Sequence, residues 1–356
     1  MHRIAVDAMG TDNAPGVEVA GVLGALAKSD LSVILVGDEE ILRSHLTACE
    51  PAMRERVQIR HAPDVIRMDD APSIAVRQKK LSSMRVCFDL VKSGEAHAVV
   101  SAGNSGAAMA CGLFVLGRLD GVDRPAIITT FPTMRGPCAL LDIGANVDTK
   151  PTVLAQFATM GAVYSRLQHK IARPRVGLLS NGSEEHKGTN LTRETHKLLE
   201  RAGVGSDSAA FDYVGYVEGR DIFKGEADVV VTDGFTGNVI LKSCEGLVEW
   251  IFDLARTEIA AAGFWSRVGA WLMKPAFRNM KRRADHAETG GAPLLGVDGV
   301  VMICHGGSQP RAIQNAILAA ERFCQSNLGN ESQSAIANHA FIWETPAVPA
   351  PGVLPS

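Results

Sequence analysis

Six times along the chain a run of about five apolar residues ends abruptly in glycine and small polar residues: RIAVDAMGTDNAP, AHAVVSAGNSG, CALLDIGAN, PRVGLLSNGSEEHKG, DVVVTDGFTGN and GVVMICHGGS. Uninterrupted Val, Ile and Leu mark strands buried on both faces, the habit of parallel sheets. After the first run, Val19, Val22, Leu23 and Leu26 recur at helical spacing and Pro15 suits a first helical turn, so the unit is strand, glycine turn, helix. Ligands in such sheets gather at the carboxyl ends of the strands, and the six turns are expected to line one crevice. Each turn taken alone has a plainer reading, an ordinary strand-to-helix loop.

The alternation continues with LSVILVG and RVQIRHA as strands and SSMRVCFDLVKSG as a helix. RPAIITTFP and CALLDIG, joined by the short TMRGP, read as antiparallel neighbours, which makes the sheet mixed and marks where a division into two lobes would fall. Helices are expected from Pro151 to about Gln168 and from Asn190 to Arg201, and Ala107 to Gly117 reads as a buried helix too short to cross a bilayer. The expected fold class is α/β, a three-layer α/β/α arrangement around a mostly parallel mixed sheet. Residues 1–330 would form a single domain and 331–356, ending in ETPAVPAPGVLPS, a proline-rich disordered tail.

At 356 residues, 46% of them hydrophobic, the chain can bury a large core. A net charge of -3 argues against a wholly basic nucleic-acid binder, and no nucleic-acid partner is expected. The seven cysteines (Cys49, Cys87, Cys111, Cys138, Cys244, Cys304, Cys324) form no C-x-x-C pair and read as reduced thiols that pack the core. A first strand beginning at His2 or Arg3 leaves no room for a signal peptide, so the expected location is the cytoplasm. There is no P-loop, no well-placed dinucleotide fingerprint, no H-E-x-x-H and no nucleophile elbow after a strand, which leaves nucleotide chemistry and covalent catalysis unsupported.

Nine segments carry a family resemblance: VDAMGTDNAP, RQKKLSSM, LVKSGEAHAVVSAGNSGA, LGRLDGVDRPA, LDIGANVDTKP, QFATMGAVY, PRVGLLSNGSEEHKGT, VEGRDIFKGEADVVVTDGFTGNVILK and HGGSQPRAI. In this order, from about residue 3 to 325, the chain resembles the bacterial phosphate acyltransferase family known as PlsX. It departs at Thr11, where the family commonly reads a second glycine, and in NGSEEHKG, where it commonly reads NIGEE. The resemblance implies transfer of a fatty acyl group from acyl carrier protein to inorganic phosphate, giving an acyl phosphate for phospholipid synthesis. It also implies a fold similar to that of the isocitrate and isopropylmalate dehydrogenases and of phosphate acetyltransferase, a homodimer, and no metal or redox cofactor.

That reaction needs a place for a dianion, donors for a tetrahedral oxyanion and a slot for the chain. Lys187 in EEHKG is the candidate charge stabiliser, with a surface lysine as the alternative. Asn104, Ser105 and Gly106 in SAGNSG, with Asp7, Gly10, Gly234 and Gly306 at other strand ends, are candidate phosphate and substrate ligands; Asn104 and Ser105 also fit simple N-caps. Asn238 takes a donor role and Asp233 an orienting one, again with capping as the alternative. His305 is the candidate proton donor to the leaving thiol, or else a structural histidine. Asp7, beside a phosphate, is expected to be screened by a cation such as Lys187. An acidic carrier calls for a basic surface, and Arg77, Lys79 and Lys80 are the candidates, unless they form a solvated helix face.

Residues 264–283, FWSRVGAWLMKPAFRNMKRR, place Phe264, Trp265, Val268, Trp271, Leu272 and Pro275 on one stripe and Arg267, Lys274, Arg278 and Lys281 on the other side. This is the pattern of a helix lying in a lipid interface, broken in two at Pro275; helices packed in a dimer interface or core are the alternative. On the membrane reading, the protein sits on the inner face of the cell membrane, where a membrane-embedded glycerol-phosphate acyltransferase is a further partner. Two other functions compete: a metal- and NAD-dependent decarboxylating dehydrogenase of similar fold, and a non-catalytic membrane-surface scaffold for acyl carrier protein. The first needs a carboxylate cluster, and Asp7, Asp142 and Asp233 stand on separate turns.

Overall fold

The computed structural model describes residues 1–47, 49–203, 211–284 and 290–343. Its strands are β1 (Arg3–Asp7), β2 (Ser32–Gly37), β3 (Val57–His61), β4 (Ala98–Ser101), β5 (Ala126–Thr133), β6 (Gly136–Leu141), β7 (Arg175–Leu179), β8 (Asp212–Val217), β9 (Val229–Val231), β10 (Ala292–Leu295) and β11 (Val300–Ile303). They form one sheet in the order β3-β2-β1-β4-β11-β10-β5-β6-β9-β7-β8. The helices are α1 (Gly16–Leu26), α2 (Glu39–His45), α3 (Pro51–Arg54), α4 (Pro72–Gln78), α5 (Ser83–Lys92), α6 (Ser105–Cys111), α7 (Pro151–Tyr164), α8 (Asn190–Gly203), α9 (Gly219–Lys224), α10 (Gly234–Ala261), α11 (Phe264–Leu272), α12 (Lys274–Ala284), α13 (Pro310–Gln325) and α14 (Leu328–Asn338).

Alternation along the buried strands makes the layers. Ile4 and Val6 of β1 share one core with Val19 and Val22 of α1 and Ile313 and Ile317 of α13, whereas Ala5 belongs to the opposite core with Met84 and Phe88 of α5 and Ala107 of α6. Complete burial of each such Ile, Val or Phe side chain contributes about 1.5–3 kcal/mol. The two helices α1 and α13 touch closely because Gly21 has no side chain; a Cβ there would lie 2.6 Å from that of Ile313.

Among the described residues seven of the ten neighbouring strand pairs are parallel. The exceptions are β10 against both β11 and β5, and the β5–β6 hairpin expected from TMRGP, in which Thr133 pairs with Gly136. These three pairs divide the sheet into two halves of opposed direction. At their junction Ala292 pairs with Ile303, the last residue of β11; Leu294 pairs with Ile127; and Ile128 pairs with Leu141, the last residue of β6. Four residues of β10 thus carry the sheet from the carboxyl end of β11 to that of β6. Strand ends from both halves meet above β10 and β5, and this junction positions the site.

The packed fold continues past residue 331, which corrects the expected start of the tail. Helix α14 and a 3-10 turn at Ala340–Ile342 extend it, and Leu328, Ala335, Ile336 and Ile342 are buried in the core that includes α7. The segment ETPAVPAPGVLPS, residues 344–356, lies outside the described residues.

Candidate active site

The site is built around the turn after β6. Asp142 is completely buried, and its carboxylate accepts five hydrogen bonds: from the backbone N–H groups of Ile127 (3.1 Å), Gly144 (3.3 Å), Ala145 (3.0 Å) and Asn146 (2.6 Å), and from Asn146 Nδ2 (2.9 Å). Burial raises its pKa, and these donors pull it partly back. With its oxygens occupied in this way, the side chain organises the turn. Helix α10 starts on that turn: the Gly234 N–H donates to the Asn146 carbonyl at 2.7 Å, and a Cβ on Gly237 would fall 1.9 Å from the Asp142 carbonyl oxygen. Asp233 caps this helix, accepting from the N–H and hydroxyl of Thr236, both at 2.8 Å. Asp233 is therefore engaged as a cap, and Gly234 and Gly237 are the contact that seats α10.

Above β10 and β5 lies a cleft of about 870 Å³. Ser105, Gly144, Asn238, His305, Gly307 and Ser308 supply its polar wall, from the turns after β4, β6, β9 and β11. Four of the six expected turns therefore share one crevice. The turn after β1 stands behind it: Asp12 N–H donates to the Gly306 carbonyl at 3.0 Å, and a Cβ on Gly10 would lie 2.7 Å from the Gly103 nitrogen. Gly10 and Gly306 thus allow two turns to touch.

His305 accepts from the Gly307 N–H at Nδ1, 3.3 Å away, which leaves the ring proton on Nε2. Helix α13 begins beside it with Pro310, and the N–H groups of Ala312 and Ile313 both donate to the Gln309 carbonyl, at 2.9 and 3.3 Å. Cys304 also lines the cleft, with its thiol pushed up to about 12 by burial.

Other expected ligands are spent elsewhere. Asn104 accepts from the Ala107 N–H and donates Nδ2 to the carbonyls of Arg67 (3.3 Å), Met68 (3.1 Å) and Asp70 (3.2 Å). Its amide is a cap and a clamp on the loop before α4, which leaves Ser105 as the cleft-lining member of the pair. Gly106 lets Pro72 pack against α6, since a Cβ there would lie 2.8 Å from Pro72 Cγ. Asp7 is buried; its Oδ2 accepts from Ser101 Oγ at 2.7 Å, and burial raises its pKa.

Lys187 cannot screen Asp7. Strands β1 and β7 are seven positions apart in the sheet, on the order of 30 Å. Lys187 stands half-buried on the loop after β7, two strand positions from β6, with its stem over Gly182. It lies outside the cleft lining.

Of the basic trio, Lys79 is ion-paired with Asp70 and donates to the Val65 carbonyl at 3.0 Å, so it braces the same loop that Asn104 holds. Arg77 lies over the ring of Phe114, 5.4 Å from its centroid, and Lys80 is exposed. Pro275 falls where expected: α11 ends at Leu272 and α12 starts at Lys274. Phe264, Trp265, Trp271 and Leu272 are each at least 66% exposed, and Lys274 and Arg278 are exposed beside them. Among the described residues no helix is long and apolar enough to cross a membrane, and no three His, Cys, Asp or Glu side chains gather as metal ligands.

Sequence reading missed Asp142 as the organiser of the site. The signal was an acid at the end of a buried strand followed at once by Gly144 and Asn146, a loop whose N–H groups need an acceptor.

The sequence pattern of the fatty acid synthesis protein family matches residues 2–330. Phosphate acyltransferase from Geobacter sulfurreducens is 54% identical over 326 residues, covering 92% of each chain, and that from Geotalea uraniireducens is 53% identical with the same coverage. In fold, the chain is similar to EutD phosphotransacetylase from Staphylococcus aureus (TM-score 0.56, 15% identity, 90% and 94% of the two chains). It is likewise similar to a branched-chain phosphotransacylase from Enterococcus faecalis (TM-score 0.56, 12% identity, 92% and 100%). With a mixed α/β sheet like that of the phosphotransacylases, a polar cleft at the meeting of strand ends and relatives of this similarity along nearly its whole length, the chain belongs to the phosphate acyltransferase family of fatty acid synthesis proteins.

Proposed function

We propose that the acyl donor is the thioester of acyl carrier protein and that the product is a long-chain acyl phosphate. A phosphate oxygen attacks the thioester carbonyl carbon, forming a C–O bond and a tetrahedral oxyanion. Collapse breaks the C–S bond, the electron pair leaves on sulfur, and the thiolate takes a proton. Phosphate is substantially dianionic near neutral pH and thiolate leaves readily, so positioning and oxyanion stabilisation supply most of the acceleration.

In this reading Ser105, Asn238 and the Ser308 hydroxyl, all on the cleft wall, bind phosphate and oxyanion. Lys187 on the β7 loop, outside the cleft lining when no substrate is bound, swings toward it to balance the charge, and His305 Nε2–H protonates the leaving sulfur. The observation that carries the proposal is the cleft itself: uncharged donors from opposed strand ends on one wall, and an apolar helix face above them. Arg77 and Lys80, exposed at the end of α4, suit an acidic carrier. The exposed aromatic face of α11 suits a lipid surface, and the outward stripe of Leu247, Trp250, Ile251 and Leu254 on α10 suits a second copy of the chain.

The deciding experiment mixes the protein with palmitoyl carrier thioester and phosphate and traps the product with hydroxylamine. Phosphate-dependent hydroxamate is expected; its absence, with thioester intact, overturns the proposal.

A further inference from the structure

Helix α10 is 28 residues long, yet its buried residues are only Gly234 and Gly237 in the first turn. Beyond them, Leu241, Glu245, Val248 and Phe252 are half-buried at spacings of four, three and four, one continuous stripe. That stripe meets the core only at its start, where Leu241 packs against it. It forms the roof of the cleft, whose floor is Ile127, Ile143, Ala292 and Ile303. The roof extends about 21 Å from Asn238 to Phe252, at ~1.5 Å per residue. A roofed apolar slot leaves water poorly bonded and favours an apolar occupant.

The slot has a direction. Its start holds the uncharged donors Ser105, Asn238 and Gly144, while further along α10 the lining includes three carboxylates, Glu245, Glu249 and Asp253, against one cation, Arg256. Glu245, on the roof stripe itself, is paired with Lys242 at 2.8 Å, and Asp253 with Arg256 at 2.9 Å, so two of the three carboxylates sit in ion pairs. Three carboxylates against one lining arginine leave that end net negative, which opposes an anion. A substrate with a phosphate-reactive head and an apolar tail therefore enters head toward Asn238 and tail toward Phe252.

We infer that the slot between α10 and the β10–β5 junction binds the acyl chain, with Val248 setting its bore and Phe252 its far stop. This rests on the acyl-transfer reading, which hydroxamate formation by the unaltered protein tests on its own before any variant is compared. The test then compares kcat/KM for butyryl, palmitoyl and stearoyl carrier thioesters in Val248→Trp and Phe252→Ala, with unfolding curves for both. Val248→Trp is expected to lower the palmitoyl-to-butyryl ratio at least tenfold, because an indole fills the bore. Phe252→Ala is expected to raise the stearoyl-to-palmitoyl ratio at least threefold. Should Val248→Trp fail to fold, Phe252→Ala decides, since its side chain is only half-buried and its loss leaves the helix intact. Ratios unchanged in a folded variant overturn the slot, as does a fall shared equally by all chain lengths.

Discussion

Asp142 accepts hydrogen bonds from Asn146 twice, from the backbone N–H at 2.6 Å and from Nδ2 at 2.9 Å, and this pair holds the turn on which α10 rests. Asp142→Ala leaves several buried N–H groups without an acceptor, each costing about 1–3 kcal/mol. A loss of about 3 kcal/mol or more is expected from the urea midpoint, with activity lost in parallel. A change under about 1 kcal/mol would show that water replaces the carboxylate.

Asn104→Ala removes a helix cap and an amide whose two N–H groups are shared among three carbonyls of the loop before α4. A cost of about 2 kcal/mol is expected, with KM for phosphate and for the thioester rising together because a whole loop loosens. A rise confined to phosphate would return Asn104 to direct ligation.

Glu18 is 1% exposed, accepts from the Thr11 N–H at 2.8 Å, and has its pKa raised by burial. The native state then holds a proton that the unfolded chain has released, so this group's contribution is fully present below the unfolded pKa and is lost as pH rises through the folded one. Glu18→Gln keeps the acceptor and removes the charge. Unfolding curves across that window should show the variant declining less with pH than the parent; an unchanged slope places the titration elsewhere, with Asp7 the next group to test.

If Lys187 balances the charge of phosphate or oxyanion, Lys187→Ala lowers turnover about a hundredfold or more while the melting temperature holds. A stable variant of ordinary activity removes Lys187 from the mechanism.

Trp271, 70% exposed on α11, is expected to enter the lipid interface. The parent protein should sediment with anionic vesicles and be partly released by salt, whereas Trp271→Glu should stay in the supernatant and still release thiol from carrier thioester in solution. Unfolding or loss of dimerisation in that variant makes the aromatic face structural.

The strands were legible because continuous apolar runs leave little choice, and the helix break at Pro275 follows from a ring that cannot continue a helix. The use of each polar residue was not. Asn104 and Lys79 carry the right chemistry for an anion or an acidic partner, but the carbonyls of residues 65–70 claim both, and nothing local in the sequence shows that those carbonyls lie nearby. The separation of Asp7 from Lys187 depends on strand order, which six similar turns do not encode. The proline-rich residues after Trp343 mask the end of the fold in the sequence, because the segment before them alternates polar and small residues with only Ala335, Ile336 and Ile342 in the core.

Cys304 gives the cleft a second property. A thioester brought beside a protein thiol can be lost to exchange, leaving the enzyme acylated and the carrier discharged to no purpose, and that exchange requires the thiolate. With its thiol held at about 12, Cys304 is ionised to only about one part in 10⁵ near neutral pH. The wall can therefore include sulfur and still spare the enzyme from acylation by its own donor.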